Sequence, residues 1–457
     1  MHVAIIGNGI AGITAARWLR KLDDDVRITV ISAETDYFFS RTALMYIYMG
    51  HMRFVDTQPY EPFFWEKNRI DLKKAFVERV DPANNRLYFS GGEEMGYDKL
   101  IIGCGSKYNK FGWPGQELEG VGGMVSYQDL QYLEERTPDI RQAVVVGGGL
   151  IGIELAEMLH SRHIPVKLLI REQSYWSNAL PPEESRMVSR HIKNHGIDLR
   201  EETELDIIED NGSGAVGSII TKSREKIECQ FVGLTAGVSP NVDFLKETEG
   251  LKIDRGIVVN EHLQTTVDNI YAIGDCAQLL EAKPGRRNIE AIWYTGRMMG
   301  ETVAYNVLGK SVSYDPGIWF NSAKFLDIEY QVYGEVPAKG REGLASLYWE
   351  HADGDKAVRI NYEANGGQVR GFNLMGIRYR HEVCEKWIKE GTDIEAVLRD
   401  LALANFDPEF YDCYEKEVVA EYNRQTGSQV QLKSKRGLEP VLKFLGLGKY
   451  GRKTAKA

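Results

Sequence analysis

Short unbroken apolar runs recur along the chain, each closed by glycines and then by a stretch with apolar residues three and four apart. VAII (3–6) and AVVV (143–146) are apolar on both faces, which predicts buried parallel strands. After the first run, ITAARWLRKL (13–22) sets Ala15, Ala16 and Leu19 on one helical face, and ITVI (28–31) predicts a second strand. After the second run, IELAEMLHSRH (153–163) and VKLLI (166–170) repeat the order. YDKLIIGCGS (97–106) and GLTAGVSPN (233–241) read as strands ending in glycine turns, and FGWPG (111–115) as a loop. NIYAI (269–273) is a short strand before Gly274-Asp275, and residues 289–309 form a helix stopped by Gly309. From residue 319 the pattern changes. Aromatic-rich strands at 319–334, 343–350, 357–363 and 367–376 precede helical stretches at 381–391 and 393–403, a third domain of α+β type.

The glycines that close the first two runs carry the chemistry. Gly7, Gly9 and Gly12, then Gly147, Gly149 and Gly152, each satisfy G-x-G-x-x-G between a strand and a helix. The first glycine permits the tight turn, the second lets backbone approach a pyrophosphate, and the third lets helix and strand pack. The helix N-terminus offers unpaired N–H groups and partial positive charge to the phosphates. Two such units predict an α/β chain with two Rossmann-like dinucleotide sites, in which one dinucleotide reduces the other.

Length and composition narrow the picture. The 457 residues suffice for two or three domains, and 43% apolar with 27% charged residues is ordinary for a soluble globular protein. No run approaches the ~20 apolar residues of a membrane span, and the first strand begins almost at Met1, so a cytoplasmic location is expected. Residues 433–457 hold eight Lys/Arg against Glu439 alone, a net of +7, which leaves −17 on the rest of a chain of −10 overall. An acidic body argues against nucleic acid as a partner. The five cysteines (104, 229, 276, 384 and 413) show no C-x-x-C, and H-E-x-x-H does not occur, so no metal site is expected.

Taken in order, these segments resemble the FAD-dependent pyridine-nucleotide oxidoreductases over about residues 1–400. The first fingerprint resembles that family's FAD site and the second its NAD(P)H site. YDKLIIGCGS resembles the segment "Y-D-x-L-x-x-A-T-G-S", with Gly103-Cys104 where Ala-Thr is usual, and NIYAIGDCA resembles "I-Y-A-x-G-D". YFFSRTALMY (37–46) and FNLMGIRYRHEVCEKWI (372–388) are most similar to the rubredoxin/ferredoxin reductase, nitrite-reductase-flavoprotein and apoptosis-inducing-factor group. The implied architecture is an FAD domain (1–115 and 245–318) interrupted by an NAD(P)H domain (116–244). A C-terminal α+β domain (319–425) and a basic, mobile tail (426–457) follow.

The resemblance also implies site residues. Asp275 inherits the flavin ribityl contact, Arg41 lies near FAD, Gly105 belongs to the glycine turn, and Val77 lies on the adenine-contacting strand or in plain core. Glu154, placed in the first turn of its helix, is the nicotinamide glutamate. Tyr46 stands where several members carry its lysine partner. Carboxylates after the second strands hold ribose hydroxyls: Glu34, two residues beyond the usual place taken by Ser32, and Glu172. Glu172 favours NADH by repelling a 2′-phosphate, whereas Arg171 would pair with one. Trp293, Tyr294, Trp319 and Phe320 are candidates for the flavin face that an acceptor approaches. Cys276 follows Asp275 and reads as small buried core.

Residues 37–50 contain no cysteine, so electrons are expected to leave the flavin directly for an external acceptor, a small iron–sulfur or rubredoxin-like carrier or a small molecule. Two alternatives are a peripheral NADH:quinone reductase anchored by LEPVLKFLGLGKYGRK (438–453) and a redox-sensing NADH-binding flavoprotein with slow turnover. Membrane contact through the tail is less expected than a solvated tail. The third domain is a candidate homodimer surface.

Overall fold

A computed structural model gives the fold and describes residues 1–433. It divides into two compact units. One comprises Met1–Trp176 and Val188–Gly317. The other comprises Ser177–Met187 and, among the described residues, those from 318 to 433.

The larger unit is built twice from one plan. A five-stranded parallel sheet runs in the order Ile270–Ala272, Lys99–Ile102, His2–Ile6, Arg27–Ser32, Ile70–Lys74. A second runs Asp198–Arg200, Val166–Leu169, Ala143–Val146, Phe231–Leu234, Val121–Gly122. In each, the central strand leads into a glycine turn and a helix, Ile10–Leu22 or Leu150–Ser161. Each plan also carries a three-stranded antiparallel meander, Val77–Asp81 to Glu94–Gly96 in the first and Leu205–Asp210 to Lys226–Glu228 in the second. The central strands are fully buried, Val3–Ile5 and Ala143–Val145 at 0% exposure, as strands covered on both faces must be. The segments joining the two plans, Ser106–Tyr108 and Val238–Pro240, pair antiparallel.

In the smaller unit, five antiparallel strands lie in the order Phe320–Phe325, Ile328–Gly334, Val369–Met375, Ala357–Glu363, Leu344–Glu350. Leu347, Val358, Ile360, Phe372 and Leu374 share a core with Val383, Trp387, Val397 and Val418 of the helices His381–Glu390, Ile394–Arg399 and Glu415–Thr426. The unit's order extends past the boundary expected at residue 425. Val430 is buried in its core, and the backbone N–H of Lys433 donates to Arg399. Residues 434–457, which hold most of the expected mobile tail and the whole anchor segment 438–453, lie outside the described residues. Among the described residues no helix is long and apolar enough to cross a membrane.

Candidate functional site

The two fingerprint turns are built to the same pattern. Gly7 (φ +107°) and Gly147 (φ +133°) take a backbone conformation that favours glycine. A Cβ on Gly7 would stand 2.1 Å from the Gly103 carbonyl oxygen, and one on Gly147 2.5 Å from that of Thr235. Gly12 and Gly152 pack onto the carbonyls of Gly7 and Gly147, at 2.0 and 2.2 Å from such a Cβ. Gly9 and Gly149 have nothing within 4 Å. These two are the N-caps of their helices, neither carries a side-chain cap, and neither helix has an acid in its first turn. The open glycine and uncapped N–H groups are what a pyrophosphate requires, so both turns fit a dinucleotide.

Around the first turn, the Asn8 amide donates to the Thr35 carbonyl (3.0 Å), fixing the chain after the second strand. Glu34 follows there. Its carboxylate accepts both guanidinium nitrogens of Arg41 (2.8 and 2.5 Å) and the backbone N–H of Tyr127 (2.8 Å). The expected ribose ligand is therefore already engaged by the expected flavin arginine, and Arg41 also donates to the Val125 carbonyl. Asp275 lies in a turn, Gly274–Cys276, just past the Ile270–Ala272 strand. It accepts from the Ser106 hydroxyl at 2.8 Å. Burial pushes its carboxyl up, opposed by Ser106 and by the positive charge of Arg41. Gly105 (φ +70°) has open space at its Cβ position, and its carbonyl accepts from Asn241. Val77 points into the core, 4% exposed, on a strand that is the edge of its meander. Ser106 escaped the sequence reading although it ends the YDKLIIGCGS segment.

At the second turn, the Glu172 carboxylate comes within 3.6 Å of where a Gly148 Cβ would stand. Arg171 bonds Glu172 (3.1 Å), and its side chain is 73% exposed. Tyr175, fully buried, donates to the Gly149 carbonyl (2.5 Å) and underpins the turn.

Glu154 corrects one expectation. Its helix begins at Leu150, so this acid stands beyond the first turn, where dipole stabilisation fades. Tyr46 lies on the short helix Leu44–Tyr48, stacked on His51, and that helix packs against the Glu154 helix. Arg162, the cap after the Glu154 helix, joins the two. It donates twice to the Tyr48 carbonyl (2.9 and 2.5 Å) and pairs with Glu134 (2.8 and 2.6 Å). Its guanidinium lies 3.6 Å from the Tyr48 ring centroid. No local motif marks Arg162, because its partners are distant in sequence. Trp293 and Tyr294 open the helix Trp293–Val307 in the larger unit, whereas Trp319 and Phe320 belong to the smaller unit. In the smaller unit, His351, Asp353 and Asp355 also cluster, with Lys356 paired to Asp355 (3.0 Å).

The profile of the pyridine nucleotide-disulphide oxidoreductases matches residues 1–300. A NADH oxidase of Methanocaldococcus jannaschii is 29% identical over 398 residues, 82% of this chain and 88% of that protein. An NADH-rubredoxin oxidoreductase of Clostridium acetobutylicum is 29% identical over 314 residues, 68% and 76% of the two chains. Among solved structures, a NAD-dependent persulfide reductase from A. fulgidus superposes with a TM-score of 0.80 at 22% identity, covering 93% of this chain and 84% of that one.

Proposed function

The chain belongs to the pyridine nucleotide-disulphide oxidoreductase family, and from that premise we propose an NADH-dependent reductase that serves a small iron–sulfur or rubredoxin-like carrier protein. It is an enzyme of FAD and NAD(P)H chemistry. FAD, when bound, supplies the capacity to take a hydride from a nicotinamide and release electrons singly. The observation that carries the reading is the pair of matching glycine cradles in one compact unit, open at Gly9 and Gly149.

Each cradle suits a different dinucleotide. Asp275, Ser106 and Arg41 gather at the first, where a buried acid and an arginine suit the flavin's ribityl and pyrophosphate groups. Glu172 over Gly148 suits the ribose hydroxyls of NADH and repels a 2′-phosphate. Arg171 is paired with Glu172, which engages its guanidinium within the chain. Glu154 orients the nicotinamide, and Tyr46 takes the place of a cationic partner, held by the Arg162 clamp between their helices. With no cysteine at 37–50, no thiol stands in the electron path there. The similarity to an NADH-rubredoxin oxidoreductase supports a carrier protein as acceptor.

Anaerobic titration of the flavin-loaded protein with NADH and with NADPH tests the reading. Rapid bleaching of the flavin band by NADH, followed by recovery on adding rubredoxin or a small ferredoxin, is expected. Bleaching by NADPH alone would reverse the cofactor choice. Recovery with oxygen or a quinone but neither carrier would remove the carrier-protein acceptor.

A further inference from the structure

The two cradles share one pattern of glycines but are held in place by different means. The first turn is Gly7-Asn8-Gly9. The Asn8 amide ties it to Thr35, beyond the second strand of its plan, through the Thr35 carbonyl (3.0 Å) and hydroxyl (3.2 Å). The second turn is Gly147-Gly148-Gly149, which has no side chain to do this. A side chain would also be crowded there. A Cβ on Gly148 would stand 3.0 Å from Cγ2 of Ile170 and 3.6 Å from the Glu172 carboxylate. Three glycines in a row lose more backbone freedom on ordering than any other residues would.

Tyr175 supplies from outside what Gly148 lacks. It follows the second strand of its plan, Val166–Leu169, as Thr35 follows Arg27–Ser32. In the first plan the turn reaches out to that segment, and in the second the segment reaches in to the turn. The Tyr175 hydroxyl donates to the Gly149 carbonyl (2.5 Å), and the residue is wholly buried. Its own backbone is fixed. The Tyr175 N–H donates to the buried Ser189 hydroxyl (2.7 Å), and the next residue, Trp176, holds φ +57°, a conformation that a bulky side chain rarely takes. Burial, with the Glu154 and Glu172 carboxylates nearby, pushes the Tyr175 hydroxyl up, so it keeps its proton and remains a donor.

The Gly149 carbonyl is a lever on the site. Planarity of the trans peptide fixes the Leu150 N–H opposite that carbonyl. Leu150 opens its helix, so this N–H has no partner within the helix and is among those offered to a pyrophosphate. The hydroxyl shares the carbonyl with the N–H groups of Gly152 (3.0 Å) and Ile153 (3.3 Å), so turn, helix start and Tyr175 are tied at one atom.

We propose that Tyr175 is a positioning residue for NADH, whose hydroxyl holds the three-glycine turn in the conformation that receives the pyrophosphate. The proposal rests on reading the second cradle as the NADH site. Because Tyr175 is wholly buried, it acts through the Gly149 carbonyl and not by contact with the dinucleotide. Such a brace is in place before the ligand arrives and lowers the ordering cost of binding. Its loss weakens capture of the dinucleotide and leaves hydride transfer from bound NADH as it was.

Tyr175→Phe keeps the ring and removes only the hydroxyl. In stopped-flow reduction of the flavin-loaded variant, the half-saturating NADH concentration should rise about tenfold, the worth of about one hydrogen bond, with the limiting rate unchanged. NADPH shares the pyrophosphate, so its half-saturating concentration should rise by the same factor. Reduced nicotinamide mononucleotide lacks the pyrophosphate, and its rate of flavin reduction should stay at the wild-type value. FAD affinity by flavin fluorescence should also match wild type. An unchanged half-saturating NADH concentration would overturn the proposal. So would an equal loss with the mononucleotide, or a parallel loss of FAD affinity, either of which would mean general loosening. Gly149→Ala separates the brace from the reading beneath it. If Gly149→Ala weakens NADH about tenfold and Tyr175→Phe does not, the brace fails and the NADH cradle stands. If Gly149→Ala leaves NADH binding intact, the cradle assignment itself fails.

Discussion

An added methyl group distinguishes the glycines of one fingerprint from each other. At Gly9 and Gly149 it would enter open space on an ordinary backbone, and at Gly7 it would collide with a carbonyl at positive φ. Gly9→Ala should therefore keep its melting temperature within a few degrees and lose about tenfold or more in FAD affinity, because the methyl occupies the phosphate approach. Gly149→Ala should do the same for NADH, and Gly7→Ala should cost several kcal/mol of stability, about 2–4. Calorimetry paired with flavin fluorescence checks all three, and a Gly7→Ala protein as stable as wild type would refute the geometry. Asp275 makes the opposite trade. Its pKa in the fold lies above 3.8, so its contribution to stability is full below pH 3.8 and is lost as pH rises through the raised value. FAD-free Asp275→Asn should melt above wild type at pH 7, with the gain shrinking in melts at successively lower pH, while it binds FAD more weakly. The glycine roles were legible in the sequence because each is a local demand on one turn. The engagement of Glu34 by Arg41 and Tyr127 was not, since Tyr127 opens a helix distant in the chain.

At the scale of elements, the apolar runs marked the central strands and fingerprint helices, because burial on both faces leaves only apolar residues there. The helix Tyr127–Arg136 went unread despite its Ser126–Asp129 capping box, since few apolar residues mark it; only Leu130 and Leu133 are buried. The short helix Leu44–Tyr48 carries no such signal, and a distant arginine holds it in place. Arg162→Met removes two bonds to the Tyr48 carbonyl and the pair with Glu134. The expected cost is about 1–3 kcal/mol. If the clamp also sets Tyr46 against Glu154, stopped-flow hydride transfer should slow by more than the melting change explains. An unchanged transfer rate in a destabilised protein would leave Arg162 a structural brace only. Glu172 tests the element that follows the second strand. Glu172→Gln removes the charge facing a 2′-phosphate, so kcat/KM for NADPH should rise about tenfold relative to NADH. An unchanged ratio would dismiss Glu172 as the discriminating residue.

At the scale of the whole molecule, the sequence assigned residues 177–187 to the second nucleotide domain by continuity, yet they count with the smaller unit. The reason is electrostatic and could not be read from periodicity. Glu184, 1% exposed, accepts both Nε (2.7 Å) and Nη2 (2.8 Å) of Arg359, itself 7% exposed on the Ala357–Glu363 strand. Glu183 and Ser346 take further donors of the same guanidinium, and the Asn373 amide donates to Glu184. The sheet thus presents a polar face that is satisfied only when this segment lies on it. Removing one partner of such a pair leaves a buried charge without compensation, which costs about 3–5 kcal/mol, more than the pair contributes over neutral residues. Arg359→Met should therefore lower the melting temperature sharply. Adding Glu184→Gln to it, which removes the stranded charge and keeps an acceptor for Asn373, should recover most of the loss. Calorimetry of the wild type, the single variant and the double variant decides it. A double variant as unstable as Arg359→Met would mean that packing of the guanidinium, rather than its charge, holds the segment on the sheet.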